Sequence, residues 1–553
     1  RNCQRSPALI KIPGKSPVMP CKDTVPPALQ AWLASFRKNM MSAVAKSIGN
    51  RRQKAYTNRM PLIRWACTLM DQQRLVAIPT DKDGGYAVLE AAHLPSICNG
   101  ILSSDVYEEI SPLEVRPDLS RRYARRLASK IADFEGKPAF NGAICKSMVP
   151  AGATAVARLQ LTCKTHKPVV SFRAIHASVP YLHAGLGCWL AQQCLLQTAC
   201  ASFLVRDCQD FVKQISRIPA KLQHTFFKLD IEVFFLSGTA DELANDSTAD
   251  LEGQHRQLTQ EVSNFILDEQ YVTSQWLPNR VFKCKLGTGM GLVHSGEMAD
   301  TAYFNRVEKK TVLLPSVRHE FGVDGYWRFK DDIFILSSDA QKTTVLIWQM
   351  KALGKYFRLK IEEWARESTR YLEVRVTKQH DIFVCQQECK ATSLGIPLEA
   401  SSCHPRHVHL SWPKAAIGRT KVLSTTRAAR RLSLEVLERR FLRHMAPKPV
   451  LDLFKQSEST RLPKHASEQT MWLSLGFHPV WDKALSDVVK KLNNNVIQRS
   501  LWHRAFSEDA NAATVCDAPC IRISWCNMLP TSAAIIRQIE AKACKRMIHV
   551  FNA

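Results

Sequence analysis

FKLDIEVFF, residues 227–235, and RFKDDIFIL, residues 328–336, are the two stretches whose reading decides the fold. Each is an apolar, β-rich run that carries acids where an ordinary strand would have none. Asp230 interrupts the first, and a lone carboxylate buried there without a partner or metal costs several kcal/mol, so a cation is expected beside it. In the second, Asp331 and Asp332 stand between Phe329 and the apolar run Ile333 to Leu336, and adjacent acids between two strand-like halves read as a hairpin tip. Alone, each has an ordinary explanation: a polar turn for the acid pair, a hydrogen-bonded edge residue for Asp230. Three carboxylates drawn together from two strands, however, cannot all ionise cheaply unless divalent cations share them. Two oxygen-bound Mg²⁺ ions, with Mn²⁺ as a substitute, would meet that need and would support in-line phosphoryl transfer between a 3′-hydroxyl and a leaving pyrophosphate.

Between the two stretches lies GTGMGLVHSGEMADTAYF, residues 287–304, a glycine-rich turn that runs into a helical pattern. Gly287, Gly289 and Gly291 would let backbone approach a base pair closely. No Lys-Ser/Thr follows them, so this is not a Walker loop, and the spacing does not fit the dinucleotide fingerprint. A loop capping a helix is the plain alternative.

Charge is distributed unevenly around this centre. The chain has 553 residues, 76 Lys+Arg against 50 Asp+Glu and a net charge of +26, with 45% hydrophobic residues, which excludes disorder and allows several domains, each with a real core. Residues 1–60 hold 12 Lys+Arg and one acid, Asp23; residues 401–450 hold 11 Lys+Arg against Glu435 and Glu438; residues 221–270 hold ten acids against Lys221, Lys228 and Arg256. Two basic flanks around an acidic centre suit a polyanion-binding enzyme whose chemistry needs cations, and a solvated basic surface is the alternative. The 18 Cys follow no regular spacing and no apolar leader precedes them, which predicts buried thiols in a reducing intracellular compartment. The stretch from Ala174 to Val205 lacks charge but is interrupted by Pro180, His183 and several Gln, and is expected to be a buried helix rather than a membrane span. The chain begins at Arg1, as a piece of a longer protein would.

Outward from the centre, the first 60 residues read as an extended basic arm leading into a helix near 28–48. Residues 61–220 alternate strands and helices, with DKDGG at 81–85 as a turn. FFKLDI, FKDDIFIL and YLEVRV are the strand candidates of 221–380. Beyond 381 the chain reads as mainly helical: Leu434, Leu437 and Phe441 share one face opposite Arg439 and Arg443, and Leu485, Val488, Val489, Leu492 and Val496 repeat at helical spacing. Cys403, His404, His407 and His409, and separately Cys516, Cys520, Cys526 and Cys544, are crowded enough to suggest zinc, but neither set has a standard spacing.

The order of these pieces resembles the palm of a reverse transcriptase, in particular that of the Penelope-like retroelement class, relatives of telomerase. Asp230 followed five residues later by Phe235 is similar to the first palm motif. Gly289, Met290 and Gly291 resemble G-x-A-M-G-S-P-L-S, with Leu292 and Val293 in place of Ser and Pro. RFKDDIF resembles R-Y-I-D-D-I-F, departing at Phe329 and Lys330. GKYFRLKIEE (354–363) and TRYLEVRV (369–376) are similar to the two motifs that follow. Upstream, LTCKTHKPVVSFRAIH (161–176) resembles the fingers segment L-P-K-I-H-K-P with R-P-I-V, TDKDGGYAV (80–88) the D-K-G-G segment, and SSCHPRHVHLSWP (401–413) the segment S-S-C-H-P-K-H. The resemblance spans roughly residues 75–450.

It implies an α+β right-hand polymerase with fingers, a palm built on an antiparallel sheet, and a helical thumb. The segments are a basic arm and helix (1–74), fingers (75–220), catalytic palm (221–380), basic thumb (381–480) and a helical extension (481–553). The implied reaction is RNA-directed DNA synthesis from an RNA template, a DNA primer and deoxynucleoside triphosphates, in the nucleus and away from membranes. Asp230 and Asp331 would hold both metals with the Ile231 carbonyl, and Asp332 would be the supporting carboxylate. Lys164 and Arg173 would hold the triphosphate, Phe235 would exclude the ribose 2′-hydroxyl, and Lys360 would give a proton to pyrophosphate. Arg427, Arg430, Arg439 and Arg443 would bind the nucleic-acid backbone. A catalytically inactive retroelement relic that still binds nucleic acid, and an RNA-copying RNA polymerase, are the alternatives.

Overall fold

The computed structural model describes residues 60–81, 85–165, 169–178, 181–388, 397–398, 406–444 and 448–456, and two backbone strands, 470–476 and 520–526. The elements in chain order begin with α1 (Met60–Gln72), β1 (Leu75–Pro79), β2 (Tyr86–Glu90), α2 (Leu94–Leu102), β3 (Tyr107–Ile110), α3 (Pro117–Phe134), α4 (Asn141–Met148), β4 (Val156–Lys164) and β5 (Ser171–His176). Then come α5 (Ala184–Thr198), α6 (Cys208–Ile215), β6 (Thr225–Glu232), α7 (Ala240–Ser247), α8 (Gly253–Asp268), β7 (Tyr271–Ser274), β8 (Leu277–Cys284), α9 (Ser295–Arg306) and α10 (Pro315–Glu320). The chain continues with β9 (Val323–Phe329), β10 (Asp332–Ser337), α11 (Ala340–Gly354), β11 (Arg358–Ala365), β12 (Ser368–Tyr371), β13 (Val374–Gln379) and β14 (Ile382–Gln387). It ends with α12 (Arg406–Leu423), α13 (Arg427–Arg443), α14 (Lys448–Gln456), β15 (Thr470–Gly476) and β16 (Cys520–Cys526).

The centre is a four-stranded sheet of order β11-β6-β10-β9, antiparallel at every pairing. Alternation along β6 assigns its side chains to two cores. Phe227, Leu229 and Ile231 pack with Met298, Ala299 and Ala302 of α9 and Leu346, Ile347 and Met350 of α11. Phe226, on the opposite face, joins Phe334 and Leu336 of β10, Phe211 of α6, and Tyr371, Val374 and Val376 of the β12-β13-β14 sheet. Lys228, Asp230 and Glu232 continue that second face past the end of its apolar core, so the polar half of the strand lies where the covering sheet has run out. The helix over 184–198 is buried as expected, and no described helix is long and apolar enough to cross a membrane.

Several boundaries differ from the sequence expectations. YLEVRV is a hairpin rather than one strand: Leu372 takes φ 52° between β12 and β13, a left-handed turn that no glycine announces. The segment after 381, expected to be mainly helical, opens with β14, which completes the β12-β13-β14 sheet, so that sheet crosses the expected boundary at 380 and ends at residue 387. Strands β7 and β8 join β3, β4 and β5 in a five-stranded sheet, so residues 271–284 belong structurally with the fingers segment. Residues 520–526, placed in a helical extension, are a strand that pairs in parallel with β15. The basic arm, the helix near 28–48 and the repeat from Leu485 to Val496 lie outside the described residues.

Candidate active site

Asp332 of β10 stands directly opposite Asp230 of β6, and the Ile231 N–H donates to the Asp331 carbonyl at 3.0 Å. Opposite residues of an antiparallel pair project from the same face with Cβ atoms about 5 Å apart, so the pairing itself unites carboxylates a hundred residues apart in sequence. Asp331 sits in the β9–β10 turn beside Lys330, whose φ is 55°. All three carboxyls are harder to ionise than usual. Burial comes first for each: it pushes Asp332 up to about 6, helped by the charges of Asp331 and Asp230. It raises Asp230 together with Glu362 and Asp331, and it raises Asp331 against the opposing pull of Arg173. The expected cations are present. Lys228 lies two residues back on the same face, tied to Glu362 at 2.6 Å, and Lys360 pairs in register with Asp230, its Nζ 3.5 Å from Glu232.

An excess of partly buried carboxylate oxygen is the donor set a hard divalent cation takes, so these residues fit Mg²⁺ by their chemistry. No group of three or more His, Cys, Asp or Glu among the described residues forms a ready-made metal cage. Mg²⁺ commonly takes one or two carboxylates and completes its shell with water and substrate phosphates, which is compatible with that arrangement.

Beneath the turn is a charge network that local sequence patterns did not reveal. Arg328, fully buried on β9, donates Nε to Glu308 Oε1 at 2.7 Å, Nη1 to Asp300 Oδ1 at 2.6 Å, and Nη1 to the Lys330 carbonyl at 3.1 Å. Burial opposes its charge, and Glu308 and Asp300 overcome that, raising its pKa well above the usual value. Lys330 adds a 2.5 Å bond to the other oxygen of Asp300. The only sequence signal was an arginine inside an apolar strand, with Asp300 in the helix after the glycine-rich loop and Glu308 in the 3₁₀ turn that follows that helix.

That loop is held by protein. Gly287 has φ 71°, and a Cβ there would collide with Leu236 Cα; one on Gly289 would collide with His176 Nδ1. The expected approach to a base pair is therefore replaced at Gly287 and Gly289, both buried, by close packing against the turn after β6 and against β5. Met290 and Gly291 retain solvent access. Val233, with φ 55°, ends β6 and starts a short 3₁₀ turn, Phe234–Leu236. Phe234 fills the core and Phe235 lies partly buried at its margin, its carbonyl accepting from Thr288 N at 2.7 Å.

Between β4 and β5, Thr162 pairs with Arg173 and Lys164 with Ser171. Residues 162 and 164 share a face of β4, so the register brings Lys164 and Arg173 to one face of the sheet. Arg173 Nη1 donates to Asp81 Oδ1 at 2.7 Å.

The four expected arginines of α13 divide. Arg427 and Arg443 are exposed with no ion-pair partner among the described residues, and Arg439 shares Glu435 with Arg431. Arg430 is only partly exposed, buries its Nε and depresses the pKa of Lys421 beside it, after burial. Leu434, Leu437 and Phe441 form the inner face of α13 with Ile417 and Phe454, as the pattern predicted. Eight of the ten cysteines whose side chains are described are buried, and none of the ten is in a disulfide. Cys520 and Cys526 stand at opposite ends of one strand, about 20 Å apart at roughly 3.3 Å per residue, too far for a shared zinc. Cys403, His404, Cys516 and Cys544 lie outside the described residues.

No family model and no curated protein matches the sequence. Among solved structures, the chain is similar to a Candida albicans telomerase in complex with a TWJ fragment of telomeric RNA, at 10% identity and TM-score 0.44, over 80% of this chain and 72% of that one. It is similar to apo telomerase from Candida tropicalis at 9% identity and TM-score 0.40, over 60% of this chain and 58% of the other. Similarity to the RNA-dependent RNA polymerase of a human picorbirnavirus has 11% identity and TM-score 0.40, over 74% and 86%. At these values the likeness carries no argument, and the site residues must carry the function.

Proposed function

We propose that the chain is a template-directed nucleic-acid polymerase of right-hand architecture, and specifically an RNA-directed DNA polymerase akin to those of Penelope-like retroelements. The observation that carries this reading is the Asp230–Asp332 register pair with Asp331 in the adjacent turn, within electrostatic reach of the fingers residue Arg173. Bound Mg²⁺ would supply Lewis-acid stabilisation of the hydroxyl and of the leaving pyrophosphate. Asp230, Asp331 and the Ile231 carbonyl would hold the ions, and Asp332 keeps negative charge next to them. Arg173 and Lys164 neutralise the triphosphate, which is the main protein task in phosphoryl transfer. Lys360, exposed and in register with Asp230, would give a proton to pyrophosphate. The thumb arginines hold the RNA template and DNA primer through their phosphates.

Deoxynucleotide choice rests on Phe235. Its neighbour Phe234 occupies the core position, which leaves the Phe235 ring partly exposed at the end of the carboxylate strand. Primer extension on an RNA template with Mg²⁺, with deoxy- and ribonucleotides competing, tests both statements. Wild type is expected to extend with deoxynucleotides, Asp331→Asn to lose roughly a thousandfold in rate, and Phe235→Val to shift incorporation towards ribonucleotides. Absence of extension while the protein binds primer–template would leave the inactive binding protein; preference for ribonucleotides by wild type would favour the RNA polymerase.

A further inference from the structure

The T-D-K-D-G-G turn between β1 and β2 has no part in the reaction above, yet its first acid touches the machinery. The Asp81 side chain is 6% exposed; Oδ1 accepts from Arg173 Nη1 at 2.7 Å and Oδ2 is buried with no hydrogen-bond partner among the described residues. A desolvated carboxylate gains most from a charge-assisted hydrogen bond, and Arg173 supplies it. The acid is also the rigid member of the pair. Its N–H donates to the Cys163 carbonyl of β4 at 2.8 Å, and the turn behind it is closed by Thr80 N to Gly85 O at 2.9 Å and Gly85 N to Thr80 Oγ1 at 3.1 Å.

Arg173 is the adaptable member. Its side chain is 37% exposed, it makes no other hydrogen bond among the described residues, and a guanidinium has five N–H donors. An ion pair built only for stability would spend those donors internally. Here most are left over, on a residue that the β4–β5 register sets on one sheet face with Lys164.

We propose that Asp81 is a positioning residue for the incoming nucleotide, holding Arg173 so that its remaining donors meet the triphosphate beside Asp331. This rests on the polymerase reading above. The sign of one substitution separates positioning from plain charge. Asp81→Asn removes a negative charge near the triphosphate site, so if charge alone mattered the variant would bind nucleotide more tightly. If Asp81 positions Arg173, the variant binds more weakly, because a misaimed fork loses the bidentate match to phosphate oxygens.

The experiment measures equilibrium binding of a deoxynucleoside triphosphate to the protein on primer–template, with KM and kcat for extension, in wild type, Asp81→Asn, Arg173→Lys and the double variant. Each single variant is expected to weaken binding by roughly tenfold, with the double variant no weaker than Arg173→Lys, since residues acting as one unit are non-additive. Tighter binding by Asp81→Asn, or additive losses, overturns the proposal while leaving wild-type extension intact. Failure of wild type to extend overturns the polymerase reading instead. If Asp81→Asn folds poorly, Asp81→Glu keeps the charge and lengthens the arm: positioning predicts the same loss, and unchanged affinity overturns it.

Discussion

Arg328 and Arg173 both pair with carboxylates, and they are used in opposite ways. Arg328 is fully buried and spends its donors on Glu308, Asp300 and the Lys330 carbonyl, so it fixes the β9–β10 turn from below. Arg173 has one carboxylate partner and keeps solvent access. The positive charge is the same in both. What differs is whether the polar atoms are consumed by the fold or left available for a ligand, and that difference, rather than charge, separates a structural cation from a binding one.

The largest expected effect tests this directly. Arg328→Met leaves Glu308 buried without its cation, which costs roughly 3–5 kcal/mol, the range for breaking a buried pair from one side. Arg173→Met strips the buried Asp81 carboxylate of its arginine at a site that solvent still reaches, costs roughly 1–3 kcal/mol, and weakens nucleotide binding. Denaturant unfolding of both variants checks the order; comparable stability losses would erase the distinction between the two arginines.

Part of this arrangement was legible in the sequence. Alternation and the interrupting acids located β6, the β9–β10 hairpin and the acids that meet as the Asp230–Asp332 register pair, because a strand's period of two leaves a local trace. The inner face of α13 was legible for the same reason at helical period. The partners of Arg328 were not, because Asp300 and Glu308 lie on another element and no spacing rule links them to β9. Nor was the left-handed backbone at Val233, Lys330 and Leu372, adopted by residues that disfavour it where tertiary packing overrides local preference. The glycine-rich loop shows the complementary error: its composition marked close approach correctly, but the approaching group at Gly289 is His176.

His176 sharpens the comparison in a second way, because it solves burial by losing charge instead of pairing it. Burial depresses its pKa from 6.5 to about 4; around it are the Tyr107 hydroxyl, 3.0 Å from Nε2, and the backbone of the glycine-rich loop, and no acid among the described residues hydrogen-bonds to its ring. His183 and His294, buried together, are likewise depressed to about 3 and about 4. For a base with a lowered folded pKa, the unfolded chain binds more protons between the two values. Stability is therefore complete above about pH 7 and falls as pH drops through 6.5 towards 4. One such histidine contributes a loss of roughly 1.5 kcal/mol between about pH 6.5 and 5. His176→Gln, which can still meet Tyr107, should remove about that much of the acid dependence of stability, read as a flatter profile of Tm against pH. An unchanged pH profile would mean that His176 titrates normally and that its neutrality plays no part in the seam between β5 and the loop.

The smallest effects are expected on α13, where the same distinction applies to exposed arginines. Arg427 and Arg443 have no ion-pair partner among the described residues, whereas Arg431 and Arg439 share Glu435. A phosphate meeting Arg439 must approach Glu435 as well, so part of the attraction is cancelled, and fewer counterions are released on binding. Arg430, packed beside Lys421, presents less of its guanidinium. Neutralising Arg427 or Arg443 to Gln should lower the slope of log affinity against log salt by about 0.9 for each duplex phosphate that the variant no longer neutralises. Arg439→Gln should lower it by less than half of that, and Glu435→Gln should restore Arg439 to the full value. Equal slopes for Arg427→Gln and Arg439→Gln would show that exposed pairing with an acid does not withdraw an arginine from phosphate. Available donors would then distinguish binding cations only where, as at Arg328, the competing partners are buried.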